Sequence, residues 1–228
     1  MKQCTYDSVW DNDIYGRRQH FNRYPFDSVV TFIFRHYPRT KPRGVVRILE
    51  VGCGAGNNLW FAAREGFRVN GLDGSASAIA YAQRRFTEEN LQGEFIVGNF
   101  TELPYADELF DLVVDRAALT CCGWTAVSRA LAEVHRMLRP GGVLFFNPYH
   151  ERHSSQASGQ PGADRVRIGI SEGTLKNVGQ IFFYNRAQID ELFAAGWSIR
   201  MLQSMEMVDE NAVVREIHAE WRVIAEKQ

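Results

Sequence analysis

The sequence predicts an α/β protein built on a doubly wound, mostly parallel sheet of seven strands whose last strand is antiparallel. Apolar runs of strand length alternate along the chain with segments of helical period, which is the pattern of βαβ units. The alternation starts near residue 45, and a glycine-rich turn directly follows the first apolar run. We therefore expect helices on both faces of the sheet and an N-terminal helical extension in front of it.

The elements can be assigned in order along the chain. The first strand is predicted in VVRILEV and the first helix of the repeat in NLWFAAREG, which closes on Gly66 because glycine tolerates the left-handed position after a helix. The next elements are strand FRVNGLD, helix SASAIAYAQRRFTEEN capped by Ser75 or Ser77, strands GEFIVGNF and FDLVVDR, helix AVSRALAEVHRMLRPGG ending on Pro140, strand GVLFFNPY and helix YNRAQIDELFAAG. Asn185 and Gln188 predict a capping box on that helix. Two final runs, WSIRMLQSMEMV and EIHAEWRVIAEK, predict an antiparallel pair at one edge.

Composition excludes several classes of protein. The chain has 228 residues, 45% of them hydrophobic, which is enough for one sizeable core. Lysine and arginine (26) nearly balance aspartate and glutamate (27), so no strong field favours nucleic acid or an anionic membrane. The N-terminus has no apolar leader and no window is long enough to span a membrane, so a cytoplasmic protein is expected.

The four cysteines, Cys4, Cys53, Cys121 and Cys122, show no spacing typical of zinc ligands. We expect reduced thiols and no metal site. Oligomeric state has no signal in the sequence.

The turn after the first strand, GCGAG, carries glycine at positions 52, 54 and 56. Without Cβ atoms a ligand can lie directly on the main chain at the start of the following helix. A dinucleotide fingerprint needs a third glycine at position 57, which is Asn57, and no Gly-Lys-Ser/Thr follows as a phosphate loop requires. Tight strand-to-helix packing is the alternative role for these glycines.

From about Arg47 to Tyr149 the chain resembles the class I S-adenosylmethionine-dependent methyltransferases. Glu50 followed by GCGAG matches the first motif of that family, Asp73 in NGLDGSASAIAYA matches the acid that holds the ribose hydroxyls, and LRPGG matches the turn before strand five. A carboxylate has two oxygens suited to a vicinal diol, so an acid at this strand end is chemically apt. The family usually has aspartate after strand three, where this chain has Asn99, whose amide oxygen can also accept from the adenine amine.

The resemblance implies S-adenosylmethionine as cofactor and a set of residues around it. The expected cofactor residues are Glu50, Gly52, Cys53, Gly54, Gly56, Asn57, Asp73, Gly74, Asn99, Phe100, Asp115, Arg116 and Tyr15. Several of these residue types also suit purely structural roles. Glu50 and Asp73 suit helix caps or ion pairs, Asn99 suits a turn, and Asp115 with Arg116 suits a structural ion pair.

The expected activity is methyl transfer to the oxygen or nitrogen of a small molecule, with residues 1–44 as a lid or helical extension and residues 45–228 as the methyltransferase domain. An insertion at 150–180, together with the N-terminal part, is expected to bind the substrate, which the arginines and histidines of the insertion suggest is anionic. The candidate catalytic residues are His150 and Asp115, and the candidate substrate residues are Trp10, His20, Arg116, Tyr149, His153 and Arg165.

Two other functions fit the same residues. A same-fold enzyme could transfer a different group from the cofactor, and a regulatory module could bind the cofactor without turnover. A nucleic-acid base methyltransferase is disfavoured, because NPYH (residues 147–150) follows strand five instead of strand four and little chain remains for a target-binding domain.

Overall fold

A seven-stranded sheet forms the centre of the protein in the computed structural model, which describes residues 7–16, 22–211 and 215–228. The strands in chain order are β1 (Arg47–Val51), β2 (Arg68–Asp73), β3 (Glu94–Val97), β4 (Phe110–Asp115), β5 (Leu138–Phe146), β6 (Gln160–Pro161), β7 (Arg167–Ile168), β8 (Trp197–Val208) and β9 (Ile217–Lys227). The sheet order is β3-β2-β1-β4-β5-β9-β8, and β6 pairs only with β7. Strands β1 to β5 are parallel and β9 lies antiparallel between β5 and β8, so the predicted fold class is confirmed.

Helices cover both faces of this sheet. They are α1 (Asp27–His36), α2 (Asn57–Arg64), α3 (Ala76–Glu88), α4 (Trp124–Met137) and α5 (Arg186–Leu192). Successive strand residues point to opposite faces, so Ile48 packs in the cluster formed with α1, α2 and α3, whereas Leu49 packs in the cluster formed with α4 and α5. Both faces are therefore buried, as the continuous apolar strands predicted.

Side chains cap the N-termini of two of the five described α-helices, α3 and α5, as expected. Ser75 caps α3 by accepting a hydrogen bond from the Ala78 amide at 3.1 Å, and Asn185 with Gln188 forms the predicted capping box on α5. The prediction that α4 ends on Pro140 is wrong, because that helix ends at Met137 and Leu138 is already extended. Proline disfavours helix in the preceding residue, so the stretch Leu138–Phe146 joins β5 instead.

The N-terminal extension is helical where it is described, with a short π-helix (Trp10–Tyr15), α1, and a 3₁₀ turn (Arg43–Val45). The long connection after β5 contains two 3₁₀ turns (Ser154–Ser158 and Ala163–Arg165) and the β6–β7 pair. Within the described ranges, no helix has the length and apolar character needed to cross a membrane.

Candidate functional site

A cavity of about 110 Å³ lies where β1, β2 and β4 end. In an open α/β sheet this carboxyl edge is where ligands bind. Its walls come from the N-terminal segment, the turns after β1, β2 and β4, and the stretch after β3. The lining residues are Asp7, Trp10, Tyr15, Gly52, Asp73, Gly74, Phe100, Arg116, Ala117, Ala118 and Cys121.

The turn after β1 approaches other parts of the chain closely. Gly52 (φ +67°) and Gly54 (φ +50°) adopt the left-handed conformation that glycine favours. A Cβ atom at Gly52 would collide with Ala118, and one at Gly54 would collide with the Tyr15 hydroxyl. The Gly52 and Cys53 amides donate to the Leu72 carbonyl at 2.7 and 3.0 Å. Both amides are hydrogen-bonded within the protein, so they are not donors for a ligand. The turn instead contributes the backbone of Gly52, without a side chain, to the cavity wall.

Three other members of the predicted cofactor set have packing partners and do not line the cavity. Cys53 is buried, and Gly56 backs onto Ala82 and Phe95. Asn57 donates its side-chain amide to the Tyr24 carbonyl at 2.9 Å. Gly74, by contrast, lies in the cavity wall. The structure thus gives Cys53, Gly56 and Asn57 a part in building the turn.

Asp73, at the end of β2, holds the turn and borders the cavity. Its Oδ2 accepts from the Gly54 amide and its Oδ1 accepts from the Ser75 amide, both at 2.8 Å. A carboxylate oxygen can accept two hydrogen bonds. Each oxygen of Asp73 accepts one from the protein, so each keeps capacity for a donor of the ligand. Burial raises the pKa of Asp73, and the two amide bonds partly oppose that shift.

Glu50 is almost fully buried in β1 and is only half satisfied. Its Oε1 accepts from the Asn58 side-chain amide at 2.6 Å, and no described residue donates a hydrogen bond to Oε2. Asn58 in turn accepts from the Phe26 amide at 3.0 Å, which connects β1 to the N-terminal part of the chain. Burial raises the pKa of Glu50 to about 8.

Asp115 ends β4 and is completely buried. Its Oδ1 accepts from the amides of Ala118 and Leu119 at 3.0 and 2.9 Å, while Oδ2 has no hydrogen-bond partner in the part of the chain that the structure describes. Burial raises its pKa to about 6, so it is mostly ionised at neutral pH. The carboxylate therefore holds the turn that carries residues 116–118 along the cavity, and it does not itself line the cavity.

Arg116 lines the cavity and is fixed from outside it. Its guanidinium lies over the Phe26 ring, 4.2 Å from the centroid, and its Nη2 is 3.7 Å from Oε2 of the buried Glu220. The buried Nε has no hydrogen-bond partner within the described ranges of the chain. The predicted ion pair with the adjacent Asp115 is thus replaced by a pairing with Glu220 from β9, which lies far away in the sequence.

After β3, Phe100 lines the cavity but the Asn99 side chain is engaged locally. Asn99 Oδ1 accepts from the Thr101 amide at 3.0 Å and from the Thr101 hydroxyl at 2.9 Å. Both acceptor positions of this oxygen are therefore filled. This geometry matches the alternative of a turn residue, and it leaves Phe100 as the member of the pair in contact with the cavity.

The N-terminal segment closes one side of the cavity with Trp10 and Tyr15, whose rings lie 6.1 Å apart. Asp11 anchors the segment on the start of α3, because its Oδ1 accepts from the Ser75 and Ser77 hydroxyls and the Ser77 amide at 2.6 to 3.0 Å. His20, one of the predicted substrate residues, lies outside the described residues.

The other predicted substrate and catalytic residues do not line the cavity. His150 stacks on Trp221 at 4.3 Å and accepts from the Arg152 amide, and Arg165 lies over the Trp124 ring. His153 contacts His218, with 3.3 Å between Nε2 and Nδ1. The Tyr149 ring packs edge-on against both of these histidines. Tyr149 also forms a side-chain hydrogen bond with Arg116. Tyr149 and His153 thus belong to a cluster of rings next to Arg116, outside the cavity wall.

Sequence reasoning missed Phe26, Glu220, Asp7 and Cys121 as contributors to the site. Glu220 and Phe26 become neighbours of Arg116 only through the fold. The order of the late strands, in which β9 pairs with β5, is the signal that would have placed Glu220 here.

The chemistry of these side chains fits S-adenosylmethionine. The remaining acceptor capacity of Asp73 suits the ribose hydroxyls, and the unpartnered oxygen of Glu50 suits an ammonium group. Phe100 and Gly52 offer an apolar side chain and a side-chain-free wall between them. In the described part of the chain no three metal-ligating side chains cluster.

The sheet order, the glycine turn after β1 and the acid after β2 together define a class I methyltransferase fold. Residues 48–142 match the family model described as a methyltransferase domain. A solved S-adenosylmethionine-dependent methyltransferase from Methanosarcina mazei is similar in fold, with a TM-score of 0.68, 21% identity, and coverage of 86% of this chain and 96% of that one. Residues 48–142 thus match a methyltransferase domain and the sheet has the class I fold, in agreement with the predicted family and with S-adenosylmethionine as the cofactor.

Curated relatives match the same part of the chain. The malonyl-[acyl-carrier protein] O-methyltransferase of Pectobacterium atrosepticum is 34% identical over 101 residues, which are 44% of this chain and 38% of the relative. A human thiol S-methyltransferase is 38% identical over 110 residues, covering 47% of this chain and 44% of the relative. The chain thus spans less than half the length of these relatives.

Proposed function

We propose that this protein transfers the methyl group of S-adenosylmethionine to a small organic molecule. The observation that carries the proposal is Asp73, a carboxylate that holds the glycine turn through the Gly54 amide and still has acceptor capacity at the cavity. When bound, the cofactor supplies a methyl group on a positively charged sulfur. The chain's own part is to bind the cofactor, to orient the acceptor and to exclude water.

The test is calorimetric titration with S-adenosylmethionine and S-adenosylhomocysteine. Because Asp73→Ala removes the acceptor for the ribose hydroxyls, we expect it to weaken binding by about 1.5 to 3 kcal/mol, or about 10- to 150-fold. Asp107→Ala is the matched control, since that carboxylate is exposed and pairs only with Arg136. The absence of binding to the wild type, or equal affinity in the Asp73 variant, would contradict the proposal.

The N-terminal residues are part of the same proposal, as a lid of residues 1–44 over the methyltransferase domain. Tyr15 packs on Gly54, and Asp11 holds the segment to α3. Because Asp11→Ala removes this anchor, we expect the dissociation rate of S-adenosylhomocysteine to rise about threefold to tenfold, as for loss of a helix cap. Stopped-flow displacement measures that rate, and Asp190→Ala on the exposed surface of α5 provides a control. An unchanged rate would show that the segment is not a lid.

The acceptor could use oxygen, nitrogen or sulfur. The relatives include both an O-methyltransferase and an S-methyltransferase, so sulfur joins the atoms expected from the sequence. Mass spectrometry of the products separates methyl transfer from transfer of another group of the cofactor. Tight binding without turnover on any metabolite would favour a regulatory module. A reducing compartment such as the cytoplasm is included in the proposal, supported by the reduced thiols of Cys53 and Cys121.

A further inference from the structure

Two buried hydrogen-bond donors belong to residues that line the cavity, and neither has a partner among the residues that the structure describes. They are the indole Nε1–H of Trp10, from the N-terminal segment, and the guanidinium Nε–H of Arg116, from the end of β4. Buried polar groups in folded proteins are nearly always hydrogen-bonded, so donors without partners on residues that line a cavity indicate a ligand that accepts. Arginine combined with a second donor suits a carboxylate.

The guanidinium of Arg116 is fixed in place by residues outside the cavity. It lies between the Phe26 ring and Glu220, which contacts Nη2 and leaves Nε free. Glu220 is itself paired with Arg222 at 2.9 Å, so one carboxylate is shared between two guanidinium groups. Positive charge therefore remains at the cavity for an anion.

The ionisable side chains in the cavity wall are poorly suited to act as a base. Burial raises the pKa of both Tyr15 and Cys121, so neither is ionised near neutral pH. Both oxygens of Asp7 are held by backbone amides, of Val9 and of Gln180, and the remaining acceptor capacity of Asp73 is assigned to the ribose hydroxyls of the cofactor. An acceptor that arrives already deprotonated needs no base, and a carboxylic acid, with a pKa of about 4, meets that condition where alcohols and amines do not.

We propose that the acceptor is a carboxylate that docks between Trp10 and Arg116 and that one of its oxygens is the nucleophile. This assignment rests on the proposed methyl transfer. The bond that forms joins the carboxylate oxygen to the methyl carbon, and the bond that breaks joins that carbon to sulfur, which keeps the electron pair. The negative charge of the carboxylate and the positive charge of the sulfonium cancel, and no proton is transferred.

The experiment uses four probes of equal chain length on the full chain saturated with S-adenosylhomocysteine: hexanoate, hexanol, hexylamine and hexanethiol. We expect hexanoate to bind at least about tenfold more tightly than hexanol, as for hydrogen bonds to a charged group. Trp10→Phe keeps a ring but removes the N–H, and we expect it to weaken hexanoate binding about fivefold to tenfold without changing the affinity for S-adenosylhomocysteine. Trp60→Phe is the matched control, because its indole donates to Glu89 and does not line the cavity.

The outcomes separate this inference from the proposed function. Failure of the wild type to bind S-adenosylhomocysteine removes the proposed function before any probe is added. Equal binding of hexanoate and hexanol, or an unaffected Trp10→Phe variant, overturns the carboxylate assignment alone. The same holds if Trp10→Phe weakens S-adenosylhomocysteine instead, because the donors then serve the carboxylate of the cofactor. With labelled S-adenosylmethionine we expect methyl hexanoate as the product. Methyl transfer to another probe, or to none of the four, overturns the claim that a carboxylate oxygen is the nucleophile.

Discussion

Replacement of Asp115 by alanine is expected to destabilise the protein by about 3 kcal/mol, because the amides of Ala118 and Leu119 lose their acceptor in a fully buried place. For a chain of this size that corresponds to a fall in Tm of about 10 °C. Urea unfolding near pH 7.5 measures the change under conditions where Asp115, with a pKa of about 6, is mostly ionised.

The Asp115→Ala substitution should also free the turn of residues 116–118, which forms part of the cavity wall. Asp115 holds residues 116–118, so its loss should weaken S-adenosylhomocysteine binding in the folded variant. Asp107→Ala should change the free energy of unfolding by less than about 0.5 kcal/mol, since that carboxylate is exposed. A fully stable Asp115→Ala variant would show that the turn holds itself without the carboxylate.

The Glu50→Gln variant is expected to be more stable than the wild type, by an amount that grows with pH. The folded protein raises the pKa of Glu50 from 4.5 to about 8. Below 4.5 both states hold the proton and there is no cost, whereas between 4.5 and 8 the unfolded chain releases it and the folded chain does not. The wild type therefore loses stability as pH rises through this window. Glutamine does not titrate and keeps the bond to Asn58, so we expect a gain on the order of 4 kcal/mol near pH 8 that vanishes near pH 4.

The Glu50→Gln substitution should weaken cofactor binding although it stabilises the fold. The unpartnered oxygen of Glu50 is assigned to the ammonium group of the cofactor, so Glu50→Gln should weaken S-adenosylhomocysteine binding about tenfold. It should have little effect on 5′-methylthioadenosine, which lacks that group. Comparing denaturant curves at several pH values with both titrations tests the two statements together. A stability difference that does not depend on pH would contradict the assignment of the buried proton to Glu50.

Much of the fold is predictable from the sequence because the strands are apolar throughout and the helices carry their own end signals. Ser75, Asn185 and Gln188 act through bonds to residues three positions away, so their roles are visible locally. The prediction that α4 ends on Pro140 was wrong because a proline near a helix end does not indicate how many residues earlier the helix stops.

The sequence predicts several residues of the cavity wall, but it does not predict the distant partners that hold them in place. Gly52 and Asp73 line the cavity as expected, but the partners of Arg116 come from α1's N-cap and from β9. His150 follows β5 as expected, yet its ring is buried against Trp221. Position along the chain indicates the edge of the sheet, and the direction of a side chain depends on neighbours that the sequence alone does not identify.

The reversed direction of β9 has an evolutionary consequence. Because β9 runs opposite to its neighbour, its first residues return to the cavity edge and bring Glu220 behind Arg116. The cofactor side of the cavity is built from the aligned span of residues 48–142, whereas Trp10 and Glu220 come from segments outside it. If the carboxylate assignment holds, mutations in those outer segments change the choice of acceptor and leave the wall formed by residues 48–142 as it is, so a new specificity is reachable by small steps through active intermediates.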